Sequence, residues 1–227
     1  DLQNSSRTSF YRKYLLNISK WSSTETTLKK GENKKNFDKD SVLKRFEIQL
    51  NSSGIKTKYT LKPDFSWSII NIDKIINKYL NEKFILIFPF CSPKLSHKKW
   101  PYYNKLIEMI KKKHSNLEIV IAPGQDEIEE SKQVKAISIT EQGKCINLTQ
   151  LAGLINKSSY VIANDTGPAH MAAHLGKKGI VIFGHHTTPE KVSIETDKYK
   201  AITVDNLENL SAGKVYQIIK EEIKLIN

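Results

Sequence analysis

The fold of this chain is indicated most clearly by residues 160–175, which read YVIANDTGPAHMAAHL. The apolar start predicts a buried strand, the polar residues after it predict a tight turn, and Pro168 suits the first position of the helix that follows. A helix N-terminus offers unpaired N–H groups and the positive end of a dipole, and Gly167 lets the backbone approach a ligand closely. The stretch therefore predicts a phosphate or diphosphate site at the carboxyl end of a strand.

The same residues also fit a simpler interpretation. Asp165 or Thr166 can serve only as a helix cap, and His170 can be an ordinary surface histidine. The local sequence leaves both interpretations open, because turns of this kind are common and loosely specified.

Short apolar runs alternate with helical patterns on both sides of this stretch. The predicted strands are 84–89, 117–122, 136–139, 159–163, 179–183 and 200–204, and the predicted helices are 101–113, one from about 125, 149–157, 167–175 and 210–225. This alternation predicts an α/β fold with a Rossmann-like, doubly wound parallel sheet.

The first 80 or so residues lack this alternation. They predict a strand end and a helix over 7–16, a polar loop over 17–40, a helix over 41–50, a strand at 59–61, a linker over 62–68 and a helix over 71–80. We expect three regions: 1–70, part of an N-terminal domain with its linker; 71–208, the Rossmann-like domain; and 209–227, a terminal helix that packs back on the N-terminal part.

Composition favours anionic partners without favouring nucleic acid. The 227 residues carry a formal charge of +12, but only Arg7, Arg12 and Arg45 are arginines. Proteins that read base sequence depend on arginine, so a nucleic-acid binder is the weakest alternative. Cys91 and Cys145 lack metal-binding spacing, which indicates a reducing compartment, and no apolar run approaches the roughly 20 residues of a membrane span.

Three more loops follow predicted strands at the same edge of the sheet. Residues 90–101 contain Lys94, Lys98 and Lys99, residues 122–127 contain carboxylates, and residues 183–189 contain His185 and His186. Lysines suit a diphosphate and carboxylates suit ribose hydroxyls. Adjacent histidines rarely point at one ion, so we expect no metal. Together, the four loops predict a nucleotide cleft.

The order of these motifs resembles glycosyltransferase family 9, the lipopolysaccharide heptosyltransferases, which have the two-domain GT-B fold. The resemblance is carried by KKWP at 98–101, Gly124 with its acidic neighbours, LTQLA at 148–152, NDTGPAH at 164–170 and Phe183-Gly184 with a following TTP. It covers roughly residues 84–200, and residues 1–8 resemble a segment late in that family's N-terminal domain.

The resemblance implies an inverting, metal-independent transfer of heptose from an ADP-activated donor to a lipopolysaccharide core acceptor. It implies a bacterial enzyme that is cytoplasmic or peripheral at the inner membrane, a lipid-linked saccharide as acceptor, and no cofactor besides the nucleotide-sugar substrate. The donor site implied by motif consists of Ser92, Lys98, Asp126, Leu148, Asp165, Thr166, Gly167 and His170. Lys98, Thr166 and Gly167 would contact the diphosphate, Asp126 the ribose and Leu148 the base.

The sequence departs from the family pattern at three places. Phe88-Pro89-Phe90 stands where the family often has His-Pro-Gly, and residues 184–189 read GHHTTP in place of Gly-Pro-Thr-Asp-Pro. The family's general base is an aspartate upstream of the segment that residues 1–8 resemble, so the resemblance assigns no residue here to that role. We expect a piece of a longer enzyme; the alternative is a non-catalytic nucleotide-sugar-binding module.

Overall fold

The computed structural model of the protein describes residues 1–3, 5–16, 20–28, 30–80 and 83–226. The chain forms two compact units, one of Asp1–Pro63 with Glu190–Ser193 and one of Asp64–Pro189 with Ile194–Asn227. The parts of the sequence-based predictions that fall on residues 4, 17–19, 29 and 227 lie outside the described residues.

The smaller unit is built from short helices. They are α1 (Ser6–Phe10), continued by a π-helical turn at Tyr11–Leu15, α2 (Thr24–Thr27), α3 (Lys34–Phe37) and α4 (Val42–Ser52). Gln49 on α4 is buried and donates hydrogen bonds from Nε2 to the backbone oxygens of Asp1 and Ser22, at 2.7 and 3.2 Å. The predicted helix over 41–50 is confirmed. The predicted loop over 17–40 is wrong where α2 and α3 form.

The larger unit contains the predicted sheet. Its strands are β1 (Phe84–Phe88), β2 (Glu118–Ile121), β3 (Ile137–Ser138), β4 (Tyr160–Asn164), β5 (Gly179–Phe183) and β6 (Tyr199–Thr203). They pair in the order β3-β2-β1-β4-β5-β6, and each pairing between neighbours is parallel. The predicted α/β fold with a doubly wound parallel sheet is confirmed.

Helices cover both faces of this sheet. They are α5 (Asp73–Ile76), α6 (Tyr103–Lys113), α7 (Ile128–Ser131), α8 (Leu148–Lys157), α9 (Gly167–His174) and, after the short helix α10 (Pro189–Val192), α11 (Ala212–Lys224). Helix α10 falls mainly in the smaller unit, which includes Glu190–Ser193. α6 and α11 pack together over the face that carries Ile85, Ile119 and Ile162, whereas α9 packs on β4 and β5. Because β1 and β5 are buried on both faces, they are continuously apolar and show no alternation.

Two predicted elements outside the sheet differ from the structure. Residues 59–61 form a turn, not a strand, and Tyr59 is exposed because no neighbouring strand pairs with it. The helix predicted over 71–80 is regular only in α5, after which hydrogen bonds to the third preceding residue tighten the chain. No helix in the described part of the chain is long and apolar enough to cross a membrane.

Candidate nucleotide-sugar site

The candidate site lies where the strand order reverses. β1 and β4 are neighbours in the sheet, but the chain leaves them toward β2 and β5, on opposite sides. The loops that follow the two strands therefore diverge and leave a crevice at their carboxyl ends, which is where open α/β sheets bind ligands.

Asn164 fixes the two loops against each other. This last residue of β4 is fully buried, and its Nδ2 donates to the backbone oxygen of Pro89 at 2.9 Å. Its Oδ1 accepts from the backbone N–H of Trp100 at 3.2 Å and from the hydroxyl of Tyr103 at 3.1 Å. Both ends of the loop after β1 are thus attached to the end of β4. The lysines of that loop are held beside the turn that begins at Asp165.

Asp165 is the centre of a charged cluster. Its carboxylate is 5% exposed, and its Oδ2 lies 2.6 Å from Lys98 Nζ and 2.9 Å from His186 Nε2. The Nε2 of His170 lies 3.5 Å from the other oxygen, Oδ1. Burial raises the pKa of Asp165, but the hydrogen bonds from His170, Lys98 and His186 lower it more, so the pKa lies well below its usual range. Asp165 is therefore ionised at neutral pH.

The N-terminus of α9 adjoins this cluster. Thr166 precedes the helix and its hydroxyl donates to the backbone oxygen of Asn164 at 3.3 Å, so the side chain does not cap the helix. A Cβ built on Gly167 would meet no atom within 4 Å, which shows that the space in front of the backbone is open. The first N–H groups of a helix have no partner within it, so this open end can accept an anion.

A cavity of about 680 Å³ extends from this helix end. It is lined by residues from four segments: Phe88 and Phe90–Ser92 after β1, Ala122–Gly124 and Glu127 after β2, Cys145–Leu148 with Leu151 at the start of α8, and Thr166–Pro168. The lining is mainly apolar with an anion-binding end. This combination suits a nucleoside joined to phosphates, and the volume lies in the range of small-molecule sites.

The structure divides the eight residues of the predicted donor site into three sets. Ser92, Leu148, Thr166 and Gly167 line the cavity, and Lys98, Asp165 and His170 form the charged cluster. Asp126 lies apart, exposed on the 3₁₀ turn Gln125–Glu127. The neighbouring Glu127 lines the cavity, and its Oε2 accepts from the backbone N–H of Gly124 at 2.8 Å.

The donor site implied by motif leaves out three residues of the observed site: Glu127, Asn164 and His186. For Glu127 a signal existed, because a glutamate three residues after the start of a turn is typical of a capping box. The two adjacent histidines point to different partners: His185 Nδ1 lies 3.1 Å from the backbone oxygen of Asp205, whereas His186 contacts Asp165. Within the described residues, no group of three or more His, Cys, Asp or Glu side chains is placed to hold a metal ion.

The sequence of residues 19–219 matches the model of glycosyltransferase family 9, the heptosyltransferases. The chain belongs to glycosyltransferase family 9. This places the cavity and the charged cluster in a fold that carries sugar transfer in other members, and it confirms the family resemblance of the sequence. Among curated proteins, none matches the chain in sequence.

Solved structures share the fold of this family 9 chain. The Escherichia coli heptosyltransferase WaaC with ADP is 19% identical, has a TM-score of 0.59, and is matched over 80% of this chain and 56% of its own. The E. coli ADP-heptose lipopolysaccharide heptosyltransferase II is 14% identical, with a TM-score of 0.62 and coverage of 82% and 62%. The family 9 glycosyltransferase from Veillonella parvula is also 14% identical, with a TM-score of 0.63 and coverage of 82% and 61%.

These similarities establish the fold of the family 9 chain and no more than the fold. The chain spans between 56% and 62% of the length of these three relatives.

Proposed function

We propose that this family 9 chain binds an ADP-activated heptose, or a related sugar, and serves its inverting transfer to a lipid-linked saccharide of the lipopolysaccharide core. The observation that carries the proposal is the meeting of Lys98, Asp165 and the N-terminus of α9 at the end of the 680 Å³ cavity. A nucleoside diphosphate matches both the apolar cavity and its charged end, because it joins an apolar base to two charged phosphates.

The donor's parts correspond to parts of the site. We place the diphosphate at the open backbone of Thr166 and Gly167, where it gains the helix dipole and the charge of Lys98. The base fits the apolar wall that includes Leu148. The ribose hydroxyls fit the carboxylate of Glu127, because Glu127 lines the cavity whereas Asp126 does not. Ser92 lines the same cavity and offers a hydroxyl to the phosphates.

The chemistry follows from this placement. In an inverting transfer, the acceptor hydroxyl attacks the anomeric carbon from the face opposite the diphosphate, and the bond from that carbon to the phosphate oxygen breaks. Negative charge then develops on the departing ADP. Lys98 and the helix N-terminus stabilise that charge in a partly enclosed site, so the leaving group needs no metal. We assign the cluster to the leaving group and assign none of its residues to the general base.

Calorimetry with ADP tests the donor half of this proposal. We expect wild-type protein to bind ADP, and Lys98→Ala to weaken binding by ~1–3 kcal/mol, because a charge-assisted hydrogen bond to phosphate is lost. Lys105→Ala is the matched control, since it removes the same charge from the exposed side of α6 and should leave the affinity unchanged. Folded wild-type protein that does not bind ADP would overturn the proposal.

Transfer itself is tested with ADP-heptose and a lipopolysaccharide core acceptor. Formation of ADP and a heptosylated acceptor would support the enzyme. Tight ADP binding without transfer would support the alternative function, a nucleotide-sugar-binding module.

A further inference from the structure

His186 is buried beside Asp165, and among the described residues only one of its two ring nitrogens has a hydrogen-bond partner. The side chain is 9% exposed, and its Nε2 lies 2.9 Å from Asp165 Oδ2. Its Nδ1 is buried and has no hydrogen-bond partner among the described residues. A buried nitrogen without a partner carries a desolvation cost, so its presence at the centre of the site calls for an explanation.

The tautomer of His186 follows from its partner. An ionised carboxylate only accepts hydrogen bonds, so Nε2 must carry a hydrogen and donate it to Asp165. In the neutral ring, Nδ1 then holds the free lone pair. The next proton that this imidazole takes up must bind at Nδ1.

The surroundings keep His186 neutral in the ligand-free protein. Burial lowers its pKa, the hydrogen bond to Asp165 raises it, and the charges of Lys98 and His97 lower it, with a net decrease from the usual value near 6.5. The His97 ring lies edge-on at 5.4 Å and Phe183 stacks on the imidazole at 5.9 Å. The Nε2 of His170, a further titratable group, lies 3.5 Å from the other carboxylate oxygen of Asp165.

Lys98 has two competing roles in this arrangement. It is bound to Asp165 at 2.6 Å, yet it is also the cation that a diphosphate at the N-terminus of α9 would attract. When Lys98 turns toward the diphosphate, its bond to Asp165 weakens and the buried carboxylate has less compensating charge. An uncompensated buried charge raises the free energy of the protein. Some other cation must then balance Asp165.

We propose that His186 is the positioning residue that supplies this charge: it takes up a proton on Nδ1 when the donor's diphosphate draws Lys98 away from Asp165. The inference rests on the proposed function, because the diphosphate is the trigger. The proton comes from solvent, and no covalent bond changes. Asp165 keeps its hydrogen bond to His186 throughout, so the turn that carries Thr166 and Gly167 keeps its position.

The sign of the pH dependence follows from this exchange. Movement of the charged Lys98 away from Asp165 and arrival of an anion both favour the protonated ring, so the pKa of His186 is higher in the complex than in the free protein. Binding therefore takes up a proton at pH values between the two. The affinity for ADP should be greatest in mildly acidic solution and should fall as pH rises through the pKa of the complex.

Calorimetry in two buffers measures this proton directly. ADP is titrated at pH 7 in PIPES and in Tris, whose ionisation enthalpies differ and which carry no phosphate that could compete for the site, and the difference in binding enthalpy gives the protons exchanged. We expect net uptake for wild-type protein to exceed that of His186→Gln, which keeps an N–H donor toward Asp165 but cannot take up a proton. The ionisation of ADP itself is common to both proteins and cancels. His185→Gln, altered at the exposed neighbouring histidine, should match the wild type.

The outcomes distinguish failure of the inference about His186 from failure of the proposed function. Equal uptake by wild-type and His186→Gln proteins would overturn the inference while leaving ADP binding, and so the proposed function, in place. Absence of ADP binding by the wild type would overturn both. If His186→Gln fails to fold, the imidazole nitrogen resonances of ¹⁵N-histidine-labelled wild type replace it: His186 should change from the neutral Nε2–H form to imidazolium on saturation with ADP, and a ring that stays neutral would overturn the inference.

Discussion

At the scale of residues, Asp165 determines the electrostatics of the site. Its carboxylate accepts from Lys98 and His186 at one oxygen and lies near His170 at the other. The strand-turn-helix pattern of the sequence predicted that Asp165, Thr166 and Gly167 would surround an anion site. It did not predict His186, because which of two adjacent histidines turns inward depends on the path of the loop.

The pH dependence of stability provides a test at Asp165. Its folded pKa is lower than the value of about 3.9 expected in the unfolded chain, so its stabilising effect is complete above that value and is lost as pH falls below it. We expect Asp165→Asn to reduce the free energy of unfolding by about 3 kcal/mol at pH 7, because Lys98 and His186 lose their buried anion. Urea unfolding from pH 7 to pH 3 should show this difference shrinking, whereas a difference independent of pH would contradict the assignment.

At the scale of elements, the sequence was most informative where burial is continuous. Strands β1, β4 and β5 are buried along their whole length and apolar except for Asn164 at the end of β4, and each was predicted to within one residue at either end. The failures at residues 59–61 and 71–80 have a common cause. Short runs take their conformation from tertiary partners, which local propensity does not encode.

Two helical glycines give a prediction about packing. A Cβ on Gly153 of α8 would lie 2.4 Å from the backbone oxygen of Ile70 and 2.9 Å from Ile72 Cγ2, whereas on Gly213 of α11 its nearest neighbour is 3.9 Å away. Gly153→Ala should therefore lower the free energy of unfolding by about 1–3 kcal/mol through overpacking. Gly213→Ala should raise it by up to about 1 kcal/mol, because alanine favours the helix.

Thermal and urea unfolding of the two variants check this pair. Both exchange glycine for alanine in a helix, so helix propensity alone would make both stabilising. A stabilised Gly153→Ala protein would show that α8 does not approach residues 70–72 as closely as the structure indicates.

At the scale of the whole molecule, the strand order is what brings the site together. The order of the strands places β1 beside β4, so that Lys98 and Asp165, which are 67 residues apart in sequence, meet at one edge. Periodicity was sufficient to predict the parallel sheet and the convergence of its loops. It could not predict which acidic residue after β2 faces the cavity. Glu127 faces it because it bonds back to Gly124, and Asp126 is thereby turned outward.

The most direct test of the central claim is a crystal structure of the protein with ADP. We expect the diphosphate to lie at the backbone of Thr166 and Gly167, Lys98 to turn from Asp165 toward the phosphates, and the adenine to lie in the cavity beside Leu148. An empty cavity in crystals saturated with ADP, or ADP bound elsewhere on the chain with Lys98 still paired to Asp165, would contradict it.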